Sequence, residues 1–392
     1  MALNRRAQMG LLLAASAMVV AATKQCVQFE LSIPVVATNQ RYNIPRVDND
    51  IDAVQWALDF SIWNRTFGGA IEPLTVAKTY NISTELCIPT KKTEKSNILQ
   101  IAVHSNGWDK RAWDVQIRPE QQSYVDAAIE KGYSILTFDR IGTGQSSLPD
   151  AYDDVQPNTE IEIIAKITTL ARSGKLLSAA KVVSSTNTTT VPSPNPKQIV
   201  HVGHSFGSQL IYGLLKRNGN ISDGALLTGF LNSTQLGNVP VVNFEHDYAA
   251  THDPARFGRF GSGYVVLTTT NTLQKLYFTK KTLDSELLEY TEKIKQPHPV
   301  AVYAAGPQAF AGQNTGLFRG PVQLIAGEAD FVICNGYCPG TYDQEQIKKQ
   351  WFPNASNMTI YIAPDTAHVI NLATSASATY KKMFAYLDEH GL

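Results

Sequence analysis

A serine, an acid and a histidine in a fixed chain order are the residues of this sequence with the clearest capacity for chemistry. Ser205 stands in Gly203-His204-Ser205-Phe206-Gly207, directly after the apolar run Gln198–Val202. A G-x-S-x-G turn between a strand and a helix is sharp enough to present the serine hydroxyl above a sheet. Glycines at both ends let the two backbones approach where a side chain would collide. A serine hydroxyl becomes a nucleophile beside a base, and a histidine base needs an acid to hold its tautomer. Asp330 follows Val322–Ala326 within Gly327-Glu328-Ala329-Asp330, and His368 follows Met358–Ile362 just before the last amphipathic stretch. Ser, then Asp, then His, each on a loop behind its own strand, is the order that accompanies such an elbow. The chemistry is acyl transfer through an acyl-enzyme, which needs no cofactor.

Other residues compete for these roles. The sequence holds 8 histidines. His201 and His204 flank the elbow and read as packing or pocket lining. His246-Asp247 and His252-Asp253 raise a metal reading that lacks a third ligand at helical or hairpin spacing. For the acid, Glu328 lies closer to its strand end than Asp330, and Asp365 shares the loop of His368. A tetrahedral oxyanion also needs fixed N–H donors. Phe206, next after the nucleophile, supplies one. The loop His104-Ser105-Asn106-Gly107-Trp108 supplies the second, from Asn106 or, failing that, Ser105.

The elements that must position these groups read as a mostly parallel sheet flanked by helices. Strands are predicted at Tyr80–Ile88, Ile98–Val103, Tyr133–Phe138, Gln198–Val202, Gly224–Thr228, Val322–Ala326 and Met358–Ile362, and helices at Pro119–Lys131, Glu160–Ala180, Phe206–Lys216, Tyr342–Trp351 and Val369–His390. Ser184–Pro196, rich in Ser, Thr, Asn and Pro, reads as an exposed connector. Residues 231–319 break the alternation and read as an inserted helical cap, whose aromatics suit an apolar pocket roof or the cap's own core. The core built on this sheet is then 23–230 with 320–392.

With Ser205, Asp330 and His368 goes Phe138-Asp139-Arg140-Ile141-Gly142-Thr143-Gly144-Gln145-Ser146, similar to a D-R-x-G-x-G-x-S turn after a core strand. On these motifs the chain resembles the α/β-hydrolase superfamily, in particular secreted fungal-type serine hydrolases of the AB-hydrolase-1 kind. The resemblance implies that fold over nearly all of the mature chain, and carboxylic-ester hydrolysis. A biosynthetic acyltransferase or cyclase using the same triad is the alternative. A binding protein without turnover is a third reading, and an aminopeptidase with Glu245 and Asp247 as its amine site a fourth. Family members often open the oxyanion loop with His-Gly where this chain has His104-Ser105, so a shifted loop is expected. Ser146 has no base, and its turn reads as architectural.

Composition sets the context. The 392 residues carry 34 basic and 34 acidic side chains, so no general attraction to nucleic acid or anionic membrane arises. Arg5 and Arg6 precede the apolar run Met9–Val20 and the small Ala21 and Ala22. The run is too short to span a bilayer and reads as a signal peptide over 1–22, with secretion and no stable anchor after cleavage. Cys26, Cys87, Cys334 and Cys338 allow three pairings, of which Cys26–Cys87 with Cys334–Cys338 is favoured because the latter two share a short glycine-containing loop. Asn64, Asn81, Asn187, Asn220, Asn232, Asn354 and Asn357 each begin an N-x-S/T sequon. The expected partner is an apolar small-molecule acyl substrate.

Overall fold

Strict alternation of buried and exposed side chains marks the first strand: Val27, Phe29, Leu31, Ile33, Val35 and Ala37 all point inward. The computed structural model describes residues 24–62, 68–185, 194–230, 241–310 and 314–392. Its strands are, in chain order, β1 (Lys24–Tyr42), β2 (Ala70–Pro89), β3 (Ile98–Val103), β4 (Ser134–Phe138), β5 (Ala180–Ser185), β6 (Gln198–His204), β7 (Gly224–Thr228), β8 (His246–Tyr248), β9 (Tyr264–Leu267), β10 (His298–Pro299), β11 (Val322–Gly327) and β12 (Met358–Ala363). The main sheet runs β12-β11-β7-β6-β3-β4-β2-β1-β5. From β12 to β4 every pairing is parallel, and β2, β1 and β5 extend the sheet antiparallel.

The parallel half is mostly apolar. Every residue of β3, β4, β7 and β11 is buried, as befits strands covered on both faces. Helices Phe206–Asn218 and Pro157–Arg172 contribute Leu210, Ile211, Leu214, Ile161, Ile164 and Ile167 to one side of this core. On the other side, helix Ala376–Glu389 lays Tyr380, Met383 and Phe384 against Tyr124, Val125 and Ile129.

Several expected boundaries move for local reasons. The helix expected over Pro119–Lys131 is two, Pro119–Gln122 and Tyr124–Glu130, because Ser123 turns extended and its Oγ caps the second by accepting from Asp126 N at 2.9 Å. The stretch Glu160–Ala180 is helical only as Pro157–Arg172, ended by Gly174 at φ 68°. What read wholly as a connector after Ser184 begins within β5, which pairs with β1.

The insertion is not a purely helical cap. Short helices share it with an antiparallel sheet ordered β10-β9-β8, whose strands of two to four residues are too short for a sequence pattern to register. Helix Asp50–Ser61, unforeseen between β1 and β2, joins this unit. Asn49 caps it by accepting from Asp52 N at 3.0 Å, and its Trp56 packs edge-on to His246 and Tyr303. Phe257, Phe260 and Tyr264 form a cluster with Ala151, Leu148 and Tyr152 of the main unit. Phe318, assigned to the cap by sequence, is buried in the main core.

Cys26 is bonded to Cys87 across the directly paired positions of β1 and β2, and Cys334 to Cys338 within one loop. Asn81, Asn220 and Asn354 are exposed, whereas Asn357 is half-buried and its Oδ1 accepts from Tyr386. The proposed signal segment and Asn64, Asn187 and Asn232 lie outside the described residues.

Candidate active site

The elbow follows β6, in the middle of the parallel strands. Ser205 adopts φ 53°, ψ −119°, a strained conformation held by its N–H donating to Thr228 O at 2.8 Å and by Gln209 N donating to its carbonyl at 3.1 Å. Both flanking glycines are required sterically. A Cβ at Gly203 would stand 2.6 Å from Ser208 Cα, and one at Gly207 only 2.1 Å from Val103 O. Ser205 ends up as the cap residue of helix Phe206–Asn218, with the positive end of the helix dipole beneath its hydroxyl.

β11 and β12 bring the partners in. They pair in parallel, Gly327 opposite Ala363, so the loops behind them emerge side by side. His368 Nδ1 lies 2.7 Å from Asp330 Oδ2 and its Nε2 lies 2.8 Å from Ser205 Oγ. A proton on Nδ1 donated to the carboxylate leaves Nε2 to accept from the serine hydroxyl, the tautomer a general base needs. Asp330 is fully buried, and its other oxygen accepts from Ile333 N at 3.0 Å, capping the turn Phe331–Cys334. The Cys334–Cys338 disulfide closes that turn, and Cys334 N and Gly336 N both donate to Asp330 O.

The competing acids are occupied elsewhere. Glu328 accepts from Asp365 N at 2.8 Å, and Asp365 pairs with Lys281. Glu245 pairs with Lys275 at 2.6 Å and Asp247 with His252 at 2.8 Å, so neither forms an acidic pocket for a free amine.

The loop expected to supply the second oxyanion donor is held from behind by a buried ion pair. Arg140 meets Glu160 through two hydrogen bonds of 2.6 and 2.8 Å, each side chain 2% exposed. Its remaining nitrogen donates to Asn106 Oδ1 at 3.0 Å, and its guanidinium lies 4.6 Å from the centre of the Phe206 ring. One side chain thus touches both residues expected to supply oxyanion donors. His104 completes the clasp: Nε2 accepts from Arg140 N at 2.9 Å, so Nδ1 carries the proton and donates to Ser105 O at 2.8 Å. Burial, helped by the Arg140 charge, pushes its pKa down to about 3 and keeps the ring neutral. Gly107, at φ 82°, and not Ser105, is the loop's left-handed residue.

The other elbow histidines are structural. The ring nitrogens of His201 meet the hydroxyls of Thr168 and Ser222 at 3.0 and 2.9 Å, and burial holds its pKa at about 3. His204 Nδ1 donates to Thr228 Oγ1, and burial beside His368 drives its pKa well below the usual range. Ser146 Oγ donates to Asp139 O and has no base, while Asp139 pairs with Lys110 at 2.7 Å.

Tyr277, which the sequence offers only as one of the insertion's aromatics, lies against the base. Its ring stacks on His368 at 5.7 Å and is buttressed by Trp108 at 5.0 Å, an aromatic wall beside the base. A polar cleft of about 910 Å³, lined among others by Lys24, Glu85, Lys110, Arg111 and Arg259, reaches none of the three triad residues.

No protein-family model matches the chain, and no curated protein matches it in sequence. Solved structures do. A carboxylesterase structure from the ammonia-oxidizing thaumarchaeon Nitrososphaera gargenis shares 11% identity at a TM-score of 0.51, covering 80% of this chain and 96% of that one. A thermophilic esterase from Thermogutta terrifontis shares 13% identity at a TM-score of 0.49, over 88% and 98%. An alpha/beta hydrolase fold protein from Chitinophaga pinensis shares 13% identity at a TM-score of 0.48, over 79% and 94%. The chain has the α/β-hydrolase fold.

Proposed function

We propose that this protein is a serine hydrolase of carboxylic esters, with lactones and thioesters in its chemical reach, working through Ser205, His368 and Asp330. The observation that carries this reading is the continuous pair of hydrogen bonds, 2.8 and 2.7 Å, from the serine hydroxyl through the imidazole to a buried carboxylate. His368 takes the Ser205 proton as Oγ attacks the substrate carbonyl, and the imidazolium that forms is stabilised by Asp330. The N–H groups of Phe206 and Asn106 receive the developing oxyanion, and His368 returns its proton to the leaving alcohol. Water then releases the acyl group. Tyr277 and the neighbouring aromatics favour an apolar acyl chain. The fold shared with a carboxylesterase is compatible with this reading and supplies no reaction by itself.

A fluorophosphonate probe tests the nucleophile: wild-type protein labels at Ser205, Ser205→Ala does not, and undiminished labelling of the variant overturns the assignment. Activity on a panel of p-nitrophenyl esters of rising chain length reads the acyl preference. Product masses with added alcohol or thiol separate hydrolysis from the acyltransferase or cyclase alternative, because an acceptor-linked product that displaces the free acid would put the protein in that second class.

The same reading places the protein in the secretory pathway. Two disulfides support this, and among the described residues no helix is long and apolar enough to cross a membrane. N-terminal sequencing of exported protein is expected to start after about Ala22, with Met1 as the first residue counting against it.

A further inference from the structure

Two histidines and a tyrosine in the insertion converge on one point. The sequence set His246 beside His252, but the structure separates them, with His252 turned to Asp247 and to Lys295. His246 on β8 instead meets His298 on β10 and Tyr303 on the following helix Ala301–Ala305. His246 Nε2 and His298 Nε2 are 3.1 Å apart, His298 Nε2 and Tyr303 Oη 3.1 Å, and Tyr303 Oη and His246 Nε2 3.2 Å. The ring centroids stand farther apart, at 5.0, 5.7 and 5.7 Å, so the three rings radiate outward from this small triangle. Both histidines are 2% exposed, and neither Nδ1 has a hydrogen-bond partner among the described residues, so each ring meets its polar neighbours through Nε2.

Hydrogen bonding serves such a triangle poorly. An imidazole nitrogen has a single in-plane direction, an N–H or a lone pair, and here each faces two partners. A metal ion accepts all three donors at once. A point roughly 2.0–2.1 Å from each atom, the usual metal–imidazole bond length, lies just off the plane of this triangle and subtends donor–metal–donor angles of about 100°.

We propose that His246 Nε2, His298 Nε2 and Tyr303 Oη bind one divalent transition-metal ion, with Cu²⁺ the tightest of the first-row dications by the order such nitrogen and oxygen donors follow. The phenol gives up its proton on binding, and a fourth position stays open. The ion clips β8, β10 and the Ala301–Ala305 helix together beneath Trp56, whose ring lies 5.3 Å from His246 and 5.2 Å from Tyr303. The site uses none of the triad residues and does not depend on the hydrolase reading.

The test uses the full chain, stripped with a chelator and dialysed against Cu²⁺ or Zn²⁺. Wild-type protein is expected to retain one ion of either metal per chain, to melt at a higher temperature when loaded, and with Cu²⁺ to show quenched tryptophan fluorescence and a visible phenolate-to-copper absorption. Tyr303→Phe keeps the ring and its packing, and should lose that absorption and bind at least tenfold more weakly. His246→Gln with His298→Gln should abolish retention. Wild-type protein that retains neither ion, an absorption that survives in Tyr303→Phe, or a folded double variant that binds like wild type overturns the site. If the double variant does not fold, the comparison of wild type with Tyr303→Phe decides.

Discussion

The Asp330 loop and the Asn106 loop of the proposed site are fixed by opposite means. Asp330 is held locally: its own turn caps it, a disulfide four residues long closes that turn, and its carbonyl gathers N–H groups from Cys334 and Gly336. The Asn106 loop is held at long range, by a buried Arg140–Glu160 pair whose members lie 34 and 54 residues along the chain from it. Local bracing survives small damage because each bond is backed by a neighbour. A buried ion pair has no such reserve, since removing one charge strands the other in low dielectric.

Changes at the two loops should therefore differ in kind. On the acid side, Asp330→Asn leaves the geometry and folds, but it stabilises the wrong histidine tautomer. We expect kcat on an activated ester to fall about 10⁴-fold with an unchanged melting temperature. On the oxyanion side, Arg140→Met should lower kcat by about 10²-fold or more through loss of a placed donor, and cost about 3–5 kcal/mol of stability in urea unfolding. Adding Glu160→Leu should restore much of that stability without restoring kcat. If stability and kcat recover together, Arg140 acts through the fold alone.

Milder effects sharpen the comparison. Opening the Cys334–Cys338 loop with two serines should cost about 2 kcal/mol on chain-entropy grounds, less than the roughly 4 kcal/mol for Cys26–Cys87 with its longer loop. The smaller disulfide, however, should be the one whose loss lowers kcat. Acid should act on the oxyanion side. His104 is neutral in the native state down to about pH 3 and protonates near 6.5 once unfolded, so below about pH 6.5 the unfolded chain binds the extra proton. Its share of stability is present above that pH and is lost as pH falls, at up to about 1.4 kcal/mol per pH unit. His201 behaves alike, so unfolding free energies measured from pH 7 to 4 should fall, and His104→Gln should flatten the slope.

The same contrast explains what the sequence made legible. Ser205, Asp330 and His368 were readable because each follows an apolar parallel strand and chain order alone arranges them. The clamp behind Asn106 was not, because nothing in the spacing of Asn106, Arg140 and Glu160 marks them as neighbours until β3 and β4 pair and the helix Pro157–Arg172 docks. β1 was missed for another reason. Its signal is alternation, Val27 through Ala37, and a search for unbroken apolar runs passes over it. The strands of the insertion carry no period at all, since two to four residues cannot show one. His246 and His298 met only through such strands, 52 residues apart.

The side-by-side exit of β11 and β12 also bears on when the protein can act. Ser205 and His368 are 163 residues apart in the chain and meet because His368 follows β12, the strand at one edge of the sheet. A chain still emerging from synthesis holds Ser205 without the base proposed for it. On the proposed mechanism, turnover is thus a report of a completed sheet, and a chain that has not yet paired β12 is inactive.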